Sequence, residues 1–227
     1  MKLNDQIKQL ANSYDLPEDV IRTIQSTNAL LEASGSVPGL DIGDRAPEFI
    51  LPNAYGKDIS LDESLQKGLV VLSFYRGDWC PYCNLELRAL QDVLPEIESL
   101  GASLITISPQ PPTNALSLTE KHNLAFEVLS DLYQEATHDY GLHYTVPPEV
   151  QDIYLNVFNL DLSEHTADGS WDLPVPATFI LDREGIVRAS YVSTNFLTRM
   201  EPEMVLEELR SIREIDQVRR ETLKLSA

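Results

Sequence analysis

The chain has 227 residues, and its 36 acidic against 17 basic side chains give a formal charge of −19. A field of that sign disfavours general attraction to nucleic acid or to anionic membrane. The 43% apolar share supports one sizeable folded unit with extensions, and no apolar run approaches the roughly 20 residues of a transmembrane helix. The opening stretch MKLNDQIKQLANSYDL is half polar and lacks the apolar core of a signal peptide, which predicts a cytoplasmic protein. A structural disulfide is unusual in that compartment.

Leu3, Ile7, Leu10 and Tyr14 recur at helical spacing, and Ile21, Ile24, Asn28 and Leu31 continue the pattern after Pro17. ASGSVPGLDIG breaks it over residues 33–43. Residues 1–40 therefore read as a helical hairpin extension ahead of a domain over 41–227, able to pack on the core or to touch a second copy in a homodimer. LVVLSFY (69–75) is a continuous apolar run, as in a strand buried on both faces. A helix follows over 82–100, with Leu87, Leu90, Leu94 and Ile97 on one side and Gly101 closing it. ASLITIS is a second buried strand, NALSLTEKHNL a polar helix, FEVLS a short strand, and LYQEATHDYG a helix ending at Gly141. Val150, Ile153, Val157 and Leu160 suggest one more helix before the loop SEHTADGSWDLP. ATFILD and GIVRASYV read as a hairpin, and Val205, Leu209, Ile212 and Val218 mark a terminal helix from Thr198, with a Thr198/Glu201 capping box. Alternating strands and helices ending in a hairpin and a helix make an α/β fold with a mostly parallel central sheet.

The chain's two cysteines, Cys80 and Cys83, fall where a buried strand gives way to a helix. Unpaired amides and the positive end of the helix dipole favour a thiolate there, and C-x-x-C thiols in such places have pKa values of roughly 3.5–7.5. At least one of the two is expected below the free value of about 8.5. The spacing lets one thiolate attack while the other resolves. Arg76 precedes Cys80 by four residues and can stabilise a thiolate, or it can pair with Asp78 on the surface. Trp171 can line a rim round the thiols or pack on the core.

A zinc site is disfavoured. His138 and His143 have H-x4-H spacing, but 54 residues separate Cys83 from His138, where a compact finger needs about 12–15. His122 and His165 are isolated and expected to be solvated. Phosphate loops and dinucleotide fingerprints are absent from the sequence, and the scattered histidines give a cysteine hydrolase no support.

Three blocks in order, GDRAPEFILPNAYGKDISL, LVVLSFYRGDWCPYC and VPATFILDREGIVRASYV, resemble the thioredoxin-like superfamily. They are most similar to its alkyl hydroperoxide reductase/thiol-specific antioxidant branch, the peroxiredoxin-like proteins, over residues 43 to about 215. The resemblance implies a thioredoxin-like fold, a central mixed sheet flanked by helices. It also implies a cis peptide bond before Pro176 facing the thiols, with Thr178 beside it. The implied activity is reduction of a hydroperoxide, with no bound cofactor and with electrons from an external thioredoxin- or glutaredoxin-type thiol donor.

The sequence also departs from that family. Its Pro-x-x-x-Thr-x-x-Cys motif, placed with its cysteine on Cys83, has Arg76 at the proline and Cys80 at the threonine; the family's active-site arginine falls on Pro176. Arg76 is a candidate substitute for it. Trp79 before Cys-Pro-Tyr-Cys is similar instead to thioredoxins and glutaredoxins. In that register Cys80 is the exposed nucleophile and Cys83 resolves; in the peroxiredoxin register the roles reverse. The sequence leaves three readings: a thiol-dependent peroxidase, a protein disulfide oxidoreductase, and a non-enzymatic redox-sensing module.

Overall fold

The computed structural model describes residues 1–225. Two helices, α1 (Leu3–Ser13) and α2 (Glu18–Ser34), lead into a small hairpin of β1 (Ile50–Pro52) and β2 (Asp58–Ser60) and the short α3 (Leu61–Leu65). Alternation follows: β3 (Leu69–Phe74), α4 (Pro81–Ser99), β4 (Ala102–Ser108), α5 (Pro112–His122), β5 (Glu127–Ser130), α6 (Glu135–Asp139), β6 (His143–Thr145) and α7 (Pro148–Asn156). The chain closes with β7 (Asp172–Pro174), β8 (Ala177–Leu181), β9 (Val187–Val192) and α8 (Pro202–Leu225).

The central sheet has the order β5-β4-β3-β8-β9. β3, β4 and β5 are parallel, while β8 is antiparallel to both β3 and β9, so the sheet is mixed. Every residue of β3 is buried, which its unbroken apolar run requires. Alternate side chains go to opposite layers. Val70, Leu72 and Phe74 join Phe49, Leu61, Tyr140 and Phe179 in one core, and Leu69 and Val71 join α4 and α8 through Leu90, Leu94, Ile97, Val205 and Leu209 in the other. Each such fully buried apolar side chain is worth about 1.5–3 kcal/mol.

Residues 142–175 hold more order than their sequence suggests. β6 and β7 pair antiparallel and anchor both ends of the segment, with Thr145 opposite Asp172. α7 ends at Asn156, short of Val157 and Leu160. The terminal helix begins at Pro202, not Thr198. No capping box forms there: Thr198 Oγ1 bonds to Asn195 O, and the Glu201 carboxylate turns away to the start of α1.

α1 packs against α4, and α2 packs against α7. Leu3 and Ile7 of α1 and Val20 of α2 are buried in these contacts. Both helices thus rest on the α/β domain.

Candidate functional site

Cys80 is the N-cap of α4 and Pro81 its first residue, where a missing N–H has no intrahelical partner to lose. The approach to it is a turn closed by Cys80 N–H donating to Gly77 O (3.2 Å). Gly77 has φ +149°, and a Cβ there would lie 2.4 Å from the Trp79 indole nitrogen, so the turn requires glycine. Asp78 clamps it. Its N–H donates to Gln110 Oε1 (2.6 Å), its carboxylate accepts from Gln110 Nε2 and Asn114 Nδ2, and its carbonyl accepts from Asn84 Nδ2 (2.8 Å). Asp78 is therefore committed to α5 and its approach, leaving Arg76 for the thiols.

Arg76 Nη2 donates to Cys80 Sγ (3.2 Å), and Arg76 Nη1 donates to the Tyr154 hydroxyl of α7 (2.8 Å). Its guanidinium carbon lies 4.1 Å from the Phe196 ring centre and 5.1 Å from that of Trp79. Cys83 Sγ lies 2.9 Å from Cys80 Sγ with its S–H pointing at it, and Arg199 Nη2 is 3.4 Å from Cys83 Sγ. Arg199 Nε also donates to Glu86 Oε2 (2.6 Å). Both cysteines are 0% exposed. That corrects the expectation of an exposed Cys80: Trp79 and Tyr82 pack on the cluster holding both sulfurs, and Tyr82 stacks on Phe196 at 6.1 Å.

Burial alone would raise the pKa of Cys80. The hydrogen bond from Cys83 and the charges of Arg76 and Arg199 outweigh it and hold the thiol well below its ordinary range. Burial pushes Cys83 well above that range, and its proton is further held by the negative sulfur beside it; the arginines offset this only in part. Burial likewise raises Glu86 to about 7 despite the facing Arg199. Within the pair, the thiolate is thus favoured on Cys80 and the proton on Cys83.

Of the residues singled out in the sequence, Cys80, Cys83, Arg76 and Trp79 come together. Pro176 and Thr178 are buried in and before β8, and neither hydrogen-bonds to a sulfur among the described residues. Thr178 faces Ser73 across the β3–β8 ladder. The bond before Pro176 is trans, correcting the cis form that the resemblance implied. Chain running extended from β7 into β8 adopts the isomer that X–Pro bonds favour by about 0.5–1 kcal/mol. Trp171 packs on Tyr154, with ring centres 6.4 Å apart. His165 is half-buried against Trp79 at 6.5 Å rather than solvated, and His122 is half-buried too. His143 faces Asp172 (3.4 Å) and His138 lies beside Asp139.

Sequence reasoning missed four participants: Glu86, Tyr154, Phe196 and Arg199. Glu86 carried a signal, an acid three residues after Cys83 on the apolar face of α4. Arg199 carried none locally, being 116 residues from the thiol it faces.

Residues 42–190 match the AhpC/TSA family. The chain is 28% identical over 171 residues to a chloroplastic peroxiredoxin Q of Populus jackii, covering 73% of this chain and 69% of that one. It is 23% identical over 170 residues to the thiol-disulfide oxidoreductase ResA of Geobacillus thermodenitrificans, covering 74% and 78%. In fold it is similar to the peroxidoxin BcpB of Mycobacterium tuberculosis, with a TM-score of 0.60, 22% identity, and 76% and 98% of the two chains covered.

Proposed function

The chain belongs to the AhpC/TSA family of thiol-dependent peroxide reductases, and we propose that within it Cys80 is the attacking sulfur and Cys83 the resolving one. One observation carries this assignment: the Cys80 thiolate sits at a helix N-cap, 3.2 Å from an arginine nitrogen, with the S–H of Cys83 2.9 Å away.

The Cys80 thiolate attacks the terminal oxygen of a hydroperoxide. An S–O bond forms, the O–O bond breaks, Cys80 becomes a sulfenic acid, and the alkoxide leaves as the alcohol after taking a proton. Arg76 Nε has no partner among the described residues and is the donor left to hold the peroxide oxygen. The sulfur of Cys83 then attacks that of Cys80; the disulfide forms and water departs with the Cys83 proton. Because both sulfurs are buried, the packing round them, which includes Trp79 and Tyr82, must open before peroxide reaches them.

A thioredoxin- or glutaredoxin-type dithiol returns two electrons, and no bound cofactor takes part. The same reading keeps the cytoplasm as its compartment and allows a homodimer. A second reading, reduction of disulfide substrates, is favoured by the placement of the single proton, because a Cys80 thiolate beside a Cys83 thiol equally suits attack on a disulfide.

Rapid mixing of the reduced protein with hydrogen peroxide or an alkyl hydroperoxide, followed by mass spectrometry, tests the assignment. Cys83→Ser is expected to stop at a sulfenic acid on Cys80, and Cys80→Ser to be silent. A sulfenic acid on Cys83 formed at the wild-type rate in Cys80→Ser reverses the roles. Inert wild type that reduces disulfides briskly selects the second reading.

A further inference from the structure

Residues 193–201, between β9 and α8, carry Arg199 and form neither helix nor strand; a turn closed by Thr198 N–H donating to Asn195 O (3.0 Å) holds residues 195–198 but stops short of Arg199. A long, rotamer-rich side chain reaches one place reproducibly only if its backbone is fixed. At Arg199 itself that fixing comes from the other end of the chain. Asn4 Oδ1 accepts from Arg199 N–H (2.9 Å), and Asn4 Nδ2 donates to Arg199 O (2.9 Å). One side chain, 195 residues away, holds both polar groups of the Arg199 peptide backbone.

The contact is reinforced next door. Glu201 accepts from Leu3 N–H (2.8 Å), Asn4 N–H (3.0 Å) and Asn4 Nδ2 (2.7 Å). The two backbone N–H groups are ones that the first turn of a helix leaves unpaired, and Lys2 at the N-cap offers no side-chain acceptor. Although partial burial opposes its charge, these donors keep the Glu201 carboxyl below its ordinary pKa. The first turn of α1 and the Arg199 segment thus satisfy each other. Beyond the backbone, Arg199 is spread over Glu86, the carbonyls of Phe196 (2.7 Å) and Thr198 (2.8 Å), and Cys83.

We propose that Asn4 is a positioning residue for the resolving thiol. It locks the Arg199 backbone so that the guanidinium faces Cys83, and α1 thereby becomes part of the redox centre. The proposal rests on the reading of Cys83 as the resolving sulfur. α1 lies outside residues 42–190, the part that matches the family, so this brace lies outside the family's own match.

The test reads each cysteine separately in the full-length reduced protein. Site-resolved alkylation across pH reports Cys83 without any peroxide, and rapid mixing with hydrogen peroxide separates sulfenate formation from disulfide closure. In Asn4→Ala the Cys83 alkylation midpoint is expected to rise by about one pH unit and disulfide closure to slow about tenfold. Sulfenate formation at Cys80 is expected to stay within about threefold, since Arg199 is the lesser of its two cationic neighbours. Glu201→Gln should shift Cys83 the same way, by less. Leu65→Ala, a core truncation on α3, controls for plain loss of stability and should lower Tm with the Cys83 midpoint unmoved. Unchanged Cys83 midpoints in both Asn4→Ala and Glu201→Gln overturn the proposal, as does a shift of equal size in Leu65→Ala. If the wild type proves inert to peroxide, the peroxidase reading fails alone, and the alkylation profiles still decide on the brace.

Discussion

Cys80 and Cys83 are equally buried, 2.9 Å apart, and each faces an arginine, yet the site favours the thiolate on one and the thiol on the other. The difference lies in what else each arginine touches. Arg76 meets a tyrosine hydroxyl, two aromatic faces and the Cys80 sulfur, so no carboxylate among the described residues pairs with it. Arg199 is bound 2.6 Å from the Glu86 carboxylate and reaches Cys83 with what remains. Helix position adds no hydrogen bond to this difference: Cys80 is the N-cap of α4, but its side chain accepts none from the first turn. An arginine near a thiol is therefore weak evidence of activation until its other partners are known.

Removing Arg76's charge should break the contrast most completely. Peroxide consumption by the wild type is expected to stay flat through neutral pH and to fall only in acid, where the Cys80 thiolate is protonated. In Arg76→Gln the inflection should move to the alkaline side, with a loss on the order of a hundredfold at pH 7. Stopped-flow rates across pH check this, and an unmoved inflection sinks the role given to Arg76.

Glu86→Gln should narrow the contrast from the other side, releasing the charge of Arg199 toward Cys83 and lowering the pH midpoint of Cys83 alkylation. It also has a stability signature. The folded-state pKa of Glu86 is raised from the ordinary 4.5 to about 7. Its contribution to stability is therefore complete below 4.5 and is lost as pH rises through 7, a swing on the order of 3 kcal/mol. Thermal unfolding of the reduced protein should show Tm falling over that window in the wild type and a flatter profile in Glu86→Gln. Parallel profiles would mean that Glu86 keeps its charge throughout.

The smallest effect is expected from Tyr154→Phe, which deletes one hydrogen bond to Arg76 worth about 1 kcal/mol. Sulfenate formation should slow about fivefold with disulfide closure unchanged. Equal slowing of both steps would show that the two halves of the site are not separately held.

Much of this was legible in the sequence because it is local. The apolar run of β3, the helix start at Cys80 and the thiol pair fall within residues 69–83, and their chemistry follows from adjacency. Arg76 could be singled out for the same reason, though not its freedom from Asp78, which depends on Gln110 arriving from the end of β4. Arg199 was invisible because only the folded chain brings residue 199 to residue 83. At Pro176 it was the implied cis bond that failed, the bond being trans, while a cation beside Cys83 comes from the segment before α8. Glu201 was read as a cap for its own helix and caps a helix from the opposite terminus.

The aromatic cage round Arg76 has a consequence once the centre is oxidised. With Cys80 in a disulfide, the guanidinium between Trp79 and Phe196, 2% exposed in the dithiol form, loses its counter-charge. An uncompensated buried cation is costly, and that cost falls on the oxidised protein alone. The couple is thereby biased toward the dithiol, as in oxidoreductases whose reduced form is the stabilised one, and a donor of only modest reducing power suffices to reset it.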